Sequence, residues 1–358
     1  MRGILSNFCS GRKAATDRNI KEILVIRIDR IGDLICTLPA IKTLRNYFHK
    51  ANFTALLSNC NSSLITDTGL IDEIIVWHKH MTGTEKKGFI KNLKDRNFDL
   101  VLVFSPYTEA YEIAFKTGAP VRAGVVIKSR ILTRFFAYFC LTHIFLLNQE
   151  EKLLKKEKVL HEAEKGFKLL EILGIKEFSR DMSLSLPGHI LTEGREYLNS
   201  ISMKDQKGII GLPLCCRYKG AGWGSSEAGM LSEELRKKFP EYLLFITFGK
   251  EEEEEGKLLH KIFQNRDGIV VKGEISLQLW AFLIQNMSVV ISIDSGAVHL
   301  ASSRKIPSVV LYPKEIYELC RQEWAPWDAA CRQIVIRDFR ETAGEIITAV
   351  EELLSSEG

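Results

Sequence analysis

Two carboxylates, a guanidinium group and a glycine stand close together in the segment RIDRIGD near the start of the chain. They are Arg27, Asp29, Gly32 and Asp33. Arg27 can keep one acid ionised while the other meets a substrate, so this set could perform acid–base chemistry. Gly32 would allow the backbone to turn tightly. The structural alternative is that Asp33 only caps the helix that follows.

A second set occurs in ISIDSGAVHLA, residues 291 to 301. An apolar strand pattern ends there at a turn made by Asp294, Ser295 and Gly296, and a helical pattern follows. The free N–H groups and the positive dipole end of such a helix can bind a phosphate without a metal. His299, one turn into the helix, could add a proton or a hydrogen bond. A DSG turn is also a common cap, and a lone helical histidine is more often structural.

Both sets lie where a predicted strand is followed by a predicted helix. ILVIRI, from Ile23, predicts a buried strand, and the apolar spacing from Leu34 onward predicts a helix. Further strands are predicted at 53–57, 74–77, 100–104 and 121–126. Strands that alternate with helices predict a parallel, doubly wound sheet, in which ligands bind at the carboxyl edge.

The second half of the chain repeats this rhythm. A helix predicted over 158–173 ends at Gly174, and an irregular connector follows. The strands predicted beyond it are 208–214, 242–248, 269–271, 289–293 and 308–312. The sequence therefore predicts an α/β protein of two Rossmann-like, doubly wound domains that face each other across a cleft.

The length of 358 residues also suits two domains. We predict a boundary between about 185 and 205. The predicted parts are a polar lead-in at 1–20, an N-terminal domain at 21–190, a C-terminal domain at 200–340 and a C-terminal helix at 341–358.

Composition excludes several classes of protein. Apolar residues make up 46% and charged residues 26%, as in globular proteins. The net charge of +4 is too small to indicate a nucleic-acid binder. The eight cysteines form no CxxC pair, and no signal-peptide pattern precedes them, so we expect reduced thiols in a cytoplasmic protein. The longest apolar run, 131–147, predicts a buried or interfacial helix, with membrane-surface contact as the alternative.

The segments RIDRIGDLICTLPAIKTLR and IDSGAVHLASSRKIPSVVLY resemble the opening and the second signature of the heptosyltransferase family, glycosyltransferase family 9. FDLVLVF, VRAG and HEAEKGFKLLEILGI stand between them in the family's order, so the resemblance spans roughly 21–330. It implies a GT-B fold, with the acceptor bound mainly by the N-terminal domain and the nucleotide sugar mainly by the C-terminal domain. The family's usual donor is ADP-heptose, and transfer inverts the anomeric centre without a metal.

The resemblance also implies roles for single residues. It places the catalytic acid on Asp33 and the phosphate-binding turn on residues 294–296, with His299 beside it. The lysine that neutralises the donor diphosphate usually stands two residues before a tryptophan. Here Lys219 stands four residues before Trp223, and Arg217 is the alternative cation. The family's Gly-Pro-Thr after the last strand is absent as well.

The remaining predictions concern ligands and partners. The run KEEEEE at 250–255 is most simply a solvated helix start, with Glu252 as a candidate ligand for the donor ribose. The sequence has no DxD pair and no His or Cys set of metal-ligand spacing, so we expect no metal and no cofactor besides the nucleotide-sugar substrate. The family resemblance suggests a lipid-linked saccharide acceptor at the inner face of the cytoplasmic membrane, and the basic, apolar stretch from Lys128 to Lys158 could make peripheral contact with that surface. We expect a monomer.

Two other interpretations stay open. GAGWGS after a predicted strand is close to the dinucleotide-binding fingerprint, but Ser225 stands where its third glycine belongs, and the next strand ends at Phe248 without a following acid. The other is a noncatalytic sugar-nucleotide-binding protein, in which the displaced Lys219 marks lost activity. The presence of both Asp33 and Asp294 argues against that loss.

Overall fold

The computed structural model describes residues 19–201, 206–220 and 222–356, with the side chains of residues 219 and 220 outside the description. The chain divides into two compact units, Met1–Asp181 and Met182–Gly358. The division falls just before the predicted 185–205. Most of the predicted lead-in at 1–20 lies outside the described residues.

The first unit contains six strands and six helices among its described residues. They are β1 (Glu22–Arg27), α1 (Ile31–Tyr47), β2 (Asn52–Ser58), β3 (Glu73–Trp77), α2 (Gly83–Asp95), β4 (Leu100–Val103), α3 (Thr108–Lys116), β5 (Val121–Ile127), α4 (Ile131–Cys140), β6 (His143–Leu147), α5 (Gln149–Leu154) and α6 (Glu162–Glu171). The strands pair in parallel in the order β3-β2-β1-β4-β5-β6. The strand order reverses between β1 and β4, which makes their carboxyl ends the expected ligand site.

The apolar run 131–147 is not the single helix that we predict. Helix α4 ends at Cys140, where Leu141 takes an extended backbone, and the chain then forms β6 at the edge of the sheet. Thr142 makes the change of direction, because its backbone N–H and its hydroxyl both pair with the backbone of Arg122. No glycine or proline marks this break, so the apolar pattern alone could not show it.

The second unit contains six strands and eight helices among its described residues. They are α7 (Gly188–Ser200), β7 (Gly208–Pro213), α8 (Arg217–Gly220), α9 (Ser225–Lys238), β8 (Tyr242–Thr247), α10 (Glu253–Phe263), β9 (Ile269–Lys272), α11 (Leu277–Ile284), β10 (Val289–Ile293), α12 (Gly296–Ser302), β11 (Ser308–Tyr312), α13 (Tyr317–Glu323), β12 (Cys331–Val335) and α14 (Phe339–Ser355). Helix α7 belongs here because it packs on α11, where a Cβ on Gly194 would lie 2.1 Å from the Phe282 ring.

The second sheet is wound in the same way as the first. Its parallel strands follow the order β12-β11-β10-β7-β8-β9, so the reversal lies between β7 and β10. The prediction of two doubly wound parallel sheets is therefore confirmed. Strand β12 is not predicted, because CRQIV carries two polar residues. It lies at the edge of the sheet, where most of its residues are partly exposed. None of the helices in the described ranges is long and apolar enough to cross a membrane.

Candidate active site

The first switch point holds a buried arginine. Arg27 is the last residue of β1 and exposes 2% of its side chain, and its Nη1 donates to the carbonyl oxygen of Phe104, just after β4, at 2.7 Å. Ser105 donates from its hydroxyl to Asp29 at 3.0 Å and accepts from the N–H of Ile28 at 2.9 Å. The ends of β1 and β4 are thereby joined through polar side chains.

Arg27 contacts three carboxylates. Its Nη2 lies 2.8 Å from Oε1 of Glu162 and 3.3 Å from Oδ1 of Asp33, and its Nη1 lies 3.4 Å from Oδ2 of Asp29. Lys165, one turn further along α6, pairs with the other oxygen of Glu162. The cluster therefore contains three acids and two bases, so full ionisation would leave one negative charge uncompensated in a largely buried place.

These charges shift the pKa values of the acids in different directions. Burial raises the pKa of Asp33 to about 7 against the lowering effect of Arg27, and the negative charges of Asp29 and Glu162 raise it further. Burial also raises the pKa of Asp29. For Glu162, burial is outweighed by Lys165 and Arg27, which lower its pKa to about 2. Glu162 is therefore a permanent anion, and Asp33 can gain or lose a proton near neutral pH.

Asp33 caps the start of α1 and can still accept further hydrogen bonds. It is the third residue of α1, and its Oδ2 accepts from the N–H of Arg30 at 3.1 Å, so it does satisfy a free donor of the helix start. Each carboxylate oxygen can accept a second hydrogen bond, and 16% of the side chain remains exposed. The tight turn predicted at Gly32 is not found, because Gly32 lies in the first turn of α1 and its backbone is not left-handed.

Glu162 is a member of the Arg27 cluster that was not predicted from the sequence. It is the first residue of α6, which begins after the cap residue His161. Helix α6 approaches α1 closely at Gly166, where an added Cβ would lie 2.9 Å from Cβ of Ala40. The one sequence feature that could have identified Glu162 is an acid at the start of a helix in HEAEKGF. That feature does not indicate a contact with Arg27, which is 135 residues away.

The second switch point joins the loop after β7 to the turn after β10. Arg217 donates from Nη1 to the carbonyl oxygen of Asp294, and the same nitrogen lies 3.3 Å from its Oδ2. The hydroxyl of Tyr218 accepts from the N–H of Ile293 at 2.9 Å. Asp294 is buried, whereas the Arg217 side chain is 36% exposed. A cation that reaches solvent is therefore held at the turn predicted to bind phosphate.

The rest of that turn is organised as a helix cap. Ser295 caps α12, because its hydroxyl accepts from the N–H of Ala297 at 3.3 Å, and it also pairs with the hydroxyl of Ser292. Gly296 is the first residue of α12. His299 is buried and meets the edge of the Trp324 ring, with centroids 5.8 Å apart. A donor-binding role for His299 stays a prediction.

Glu252 is not simply part of a solvated helix start, because it contacts the loop just before Arg217. It ends a single 3₁₀ turn, and its carboxylate accepts from the N–H of Cys216 at 2.7 Å and of Gly249 at 3.1 Å. It lines a mostly apolar cavity together with Tyr218 and Trp223. Lys219 belongs to α8, but its side chain lies outside the described part of the chain.

A possible metal-binding group arises at the same place. The Sγ atoms of Cys215 and Cys216 and a carboxylate oxygen of Glu252 lie within 4.8 Å of one another. The spacing of residues along the chain does not indicate this set, because Glu252 is 36 residues from Cys216. Burial, together with a hydrogen bond to Glu251, raises the pKa of Cys216 to about 12, and burial also raises that of Cys215. Because metals bind the thiolate, a metal bound here would displace the protons of both thiols.

Residues 87–343 match the model of glycosyltransferase family 9 (heptosyltransferase). The chain belongs to this family. The matched segment contains Glu162, Arg217 and Asp294, whereas Asp33 precedes it. As a family 9 glycosyltransferase, the chain carries its two Rossmann-like sheets in the GT-B fold, and the dinucleotide-dependent alternative is set aside.

The sequences of two relatives can be aligned with this family 9 glycosyltransferase, one over most of the chain and one over about a third. Lipopolysaccharide heptosyltransferase 3 of Escherichia coli is 20% identical over 306 residues, which is 83% of this chain and 82% of that protein. A Haemophilus influenzae relative is 30% identical over 109 residues, 30% of this chain and 32% of its own length. The crystal structure of a family 9 glycosyl transferase from Veillonella parvula superposes with a TM-score of 0.76 at 18% identity, and it covers 94% of this chain and 97% of that one.

Proposed function

We propose that the protein is an inverting, metal-independent glycosyltransferase. It transfers a heptose or a related sugar from an ADP-sugar to a saccharide of the lipopolysaccharide core or a similar acceptor. The first unit binds the acceptor, and the second binds the donor. Family membership and the heptosyltransferase among the relatives support this choice of donor and acceptor.

The state of Asp33 is the observation that carries the proposal. A general base must be ionised at working pH and still bind a proton well, so a pKa close to neutral is favourable. The pKa of Asp33 is about 7, and its carboxylate is partly exposed beyond the end of β1. Asp33 takes the proton of the acceptor hydroxyl while that oxygen bonds to the anomeric carbon. The bond from this carbon to the diphosphate breaks on the opposite face, so the configuration inverts.

The leaving diphosphate gains negative charge as that bond breaks. Arg217, held by Asp294 and exposed at its other face, is the cation that we assign to this charge. The N–H groups that follow Ser295 add neutral donors. Lys219 is the alternative cation. Glu252 accepts hydrogen bonds from the ribose hydroxyls, beside the apolar cavity lined by Tyr218 and Trp223.

Product analysis tests the proposal. The purified chain is incubated with a panel of ADP- and UDP-sugars and truncated core saccharides, and the products are identified by mass spectrometry and by NMR of the new anomeric centre. We expect transfer from ADP-heptose, with inverted configuration and unchanged rate in the presence of a chelator. Transfer from UDP-sugars only, retained configuration or loss of activity with the chelator would each refute part of this assignment.

The second candidate is a protein that binds the nucleotide sugar without turnover. The displaced position of Lys219 relative to Trp223 favours it. Calorimetric binding of ADP-heptose with no transfer and no hydrolysis, across all acceptors in the panel, would support this candidate over the enzyme.

A further inference from the structure

Helix α4 presents an apolar face to solvent. Five of its ten residues are large apolar side chains that are between 42% and 87% exposed: Ile131, Leu132, Phe135, Tyr138 and Phe139. The opposite side of the helix packs against α3 and β5 and buries Ala137 and Cys140. Single exposed apolar residues are common on proteins, but a contiguous group on one helix indicates a binding surface.

The aromatic residues on this face pack against each other. The rings of Phe135 and Phe139, one helical turn apart, meet edge to face with centroids 5.1 Å apart. They therefore form one continuous apolar ridge with Leu132 at its start.

The segment around α4 is strongly basic. From Lys128 to Lys158 there are seven Lys or Arg residues and three Glu residues, a surplus of four positive charges that equals the net charge of the whole chain. Residues 131–149 contain no acid. Arg134 points back to the helix start, where its Nη1 donates to the carbonyl oxygen of Lys128 at 2.7 Å.

We infer that this face of α4 docks the protein on a bilayer that contains anionic lipid. An apolar helix face flanked by Lys and Arg is the pattern of interfacial helices, whose apolar side chains enter the acyl boundary while the cations meet lipid headgroups. A second copy of the chain is a poorer occupant, because residues 131–149 of that copy offer no acid to pair with Arg130 and Arg134.

The basic end of α4 also borders the Asp33 cluster. Arg130 donates from Nη1 to the carbonyl oxygen of Pro106 at 3.2 Å, and its guanidinium carbon lies 5.8 Å from the centre of the Tyr107 ring. The neighbouring Ser105 bonds to Asp29. Docking through α4 therefore brings the acceptor-binding unit to a saccharide that is anchored in the bilayer. This last step rests on the proposed function, whereas the docking itself does not.

Vesicle flotation tests the inference. The purified chain is mixed with phosphatidylcholine vesicles that contain or lack phosphatidylglycerol. The variant Phe135→Ser/Phe139→Ser removes two side chains that are 65% and 66% exposed. The matched control, Leu258→Ser/Ile262→Ser, removes an equivalent pair, 47% and 56% exposed, from α10. Both variants are first checked for unchanged circular dichroism and melting temperature.

We expect wild type and control to float with the anionic vesicles, and the Phe135/Phe139 variant to bind at least about tenfold more weakly. Equal binding by all three proteins, or no binding by wild type, would overturn the inference. A different result would also overturn it: light scattering shows a wild-type dimer, the Phe135→Ser/Phe139→Ser variant abolishes that dimer, and the wild type does not bind vesicles.

A transfer assay separates this inference from the proposed function. With a lipid-free acceptor, the Phe135/Phe139 variant should retain wild-type turnover, because neither residue belongs to the Asp33 cluster. Vesicle binding by a wild-type protein that transfers no sugar would support docking and refute the transfer reaction. Normal transfer without vesicle binding would do the reverse.

Discussion

Arg27 lies closer to Glu162 than to Asp33. The same nitrogen, Nη2, is 2.8 Å from the Glu162 carboxylate and 3.3 Å from that of Asp33. Glu162 therefore receives the shorter of the two charge-assisted hydrogen bonds, and Asp33 is less stabilised as an anion. Burial therefore raises the pKa of Asp33 even though an arginine lies beside it, because the attraction of Arg27 does not offset the burial and the negative charges of Asp29 and Glu162.

Replacement of Asp33 by Asn should lower kcat by about 10²–10⁴-fold, the contribution of a general base. The amide has the same shape but cannot accept the proton of the acceptor hydroxyl. Because Asp33 is assigned to the acceptor side, the Kd for ADP measured by calorimetry should stay within about twofold of wild type. Turnover close to wild type would remove Asp33 from the mechanism.

The same variant should be more stable than wild type above neutral pH. The folded-state pKa of Asp33 is raised from 3.8 to about 7, so the folded protein disfavours the ionised acid. That cost is absent below pH 3.8, grows as pH rises toward 7 and is complete above it. The uncharged amide of Asp33→Asn avoids the cost, and each kcal/mol gained should raise the melting temperature by about 2–4 °C. An increase that is no larger above pH 7 than at acid pH would contradict the assigned pKa.

The acid limb of the pH profile should depend on Glu162. In wild type, kcat/KM should rise with pH and level off above the Asp33 pKa of about 7. Glu162→Gln removes one negative charge, so Arg27 then interacts only with Asp33 and Asp29 among the acids of the cluster. The pKa of Asp33 should fall, and the acid limb should move to lower pH by about one unit. The plateau of kcat/KM should also be lower, because Asp33 is then a weaker base.

Glu171→Gln is the matched control for this shift. Glu171 also lies on α6 and pairs with a lysine, Lys168, but at the exposed surface. Its pH profile should coincide with that of wild type. A limb that stays in place in Glu162→Gln, in a variant shown to be folded, would mean that Glu162 does not set the pKa of Asp33.

Arg217 and Lys219 can be separated by parallel substitutions to Met. Arg217→Met should weaken ADP binding about tenfold, the scale of a lost charge-assisted hydrogen bond. Lys219→Met should change it by less than about twofold if Arg217 is the diphosphate ligand. Calorimetry at low and high salt measures both. The opposite ranking would return the role to Lys219.

Much of the architecture follows from local patterns. The runs ILVI in β1 and VVISI in β10 are apolar except for one serine, because parallel strands are buried on both faces, and this pattern identifies them without tertiary information. The break at Leu141 could not be predicted, because apolar residues suit both the helix before it and the edge strand after it. Strand β12 escaped prediction because an edge strand tolerates polar residues.

The sequence by itself determined the fold class and the positions of Asp33 and Asp294. Asp294 directly follows strand β10, and Asp33 lies in the first turn of the helix after β1, where doubly wound sheets bind ligands. Only the tertiary structure decided what surrounds them. Glu162 reaches Arg27 from 135 residues away, Glu252 reaches Cys216 from 36, and α4 exposes Phe135, Tyr138 and Phe139. The physical reason is that charge state depends on burial and on through-space distance, and neither quantity is encoded in the spacing of residues along the chain.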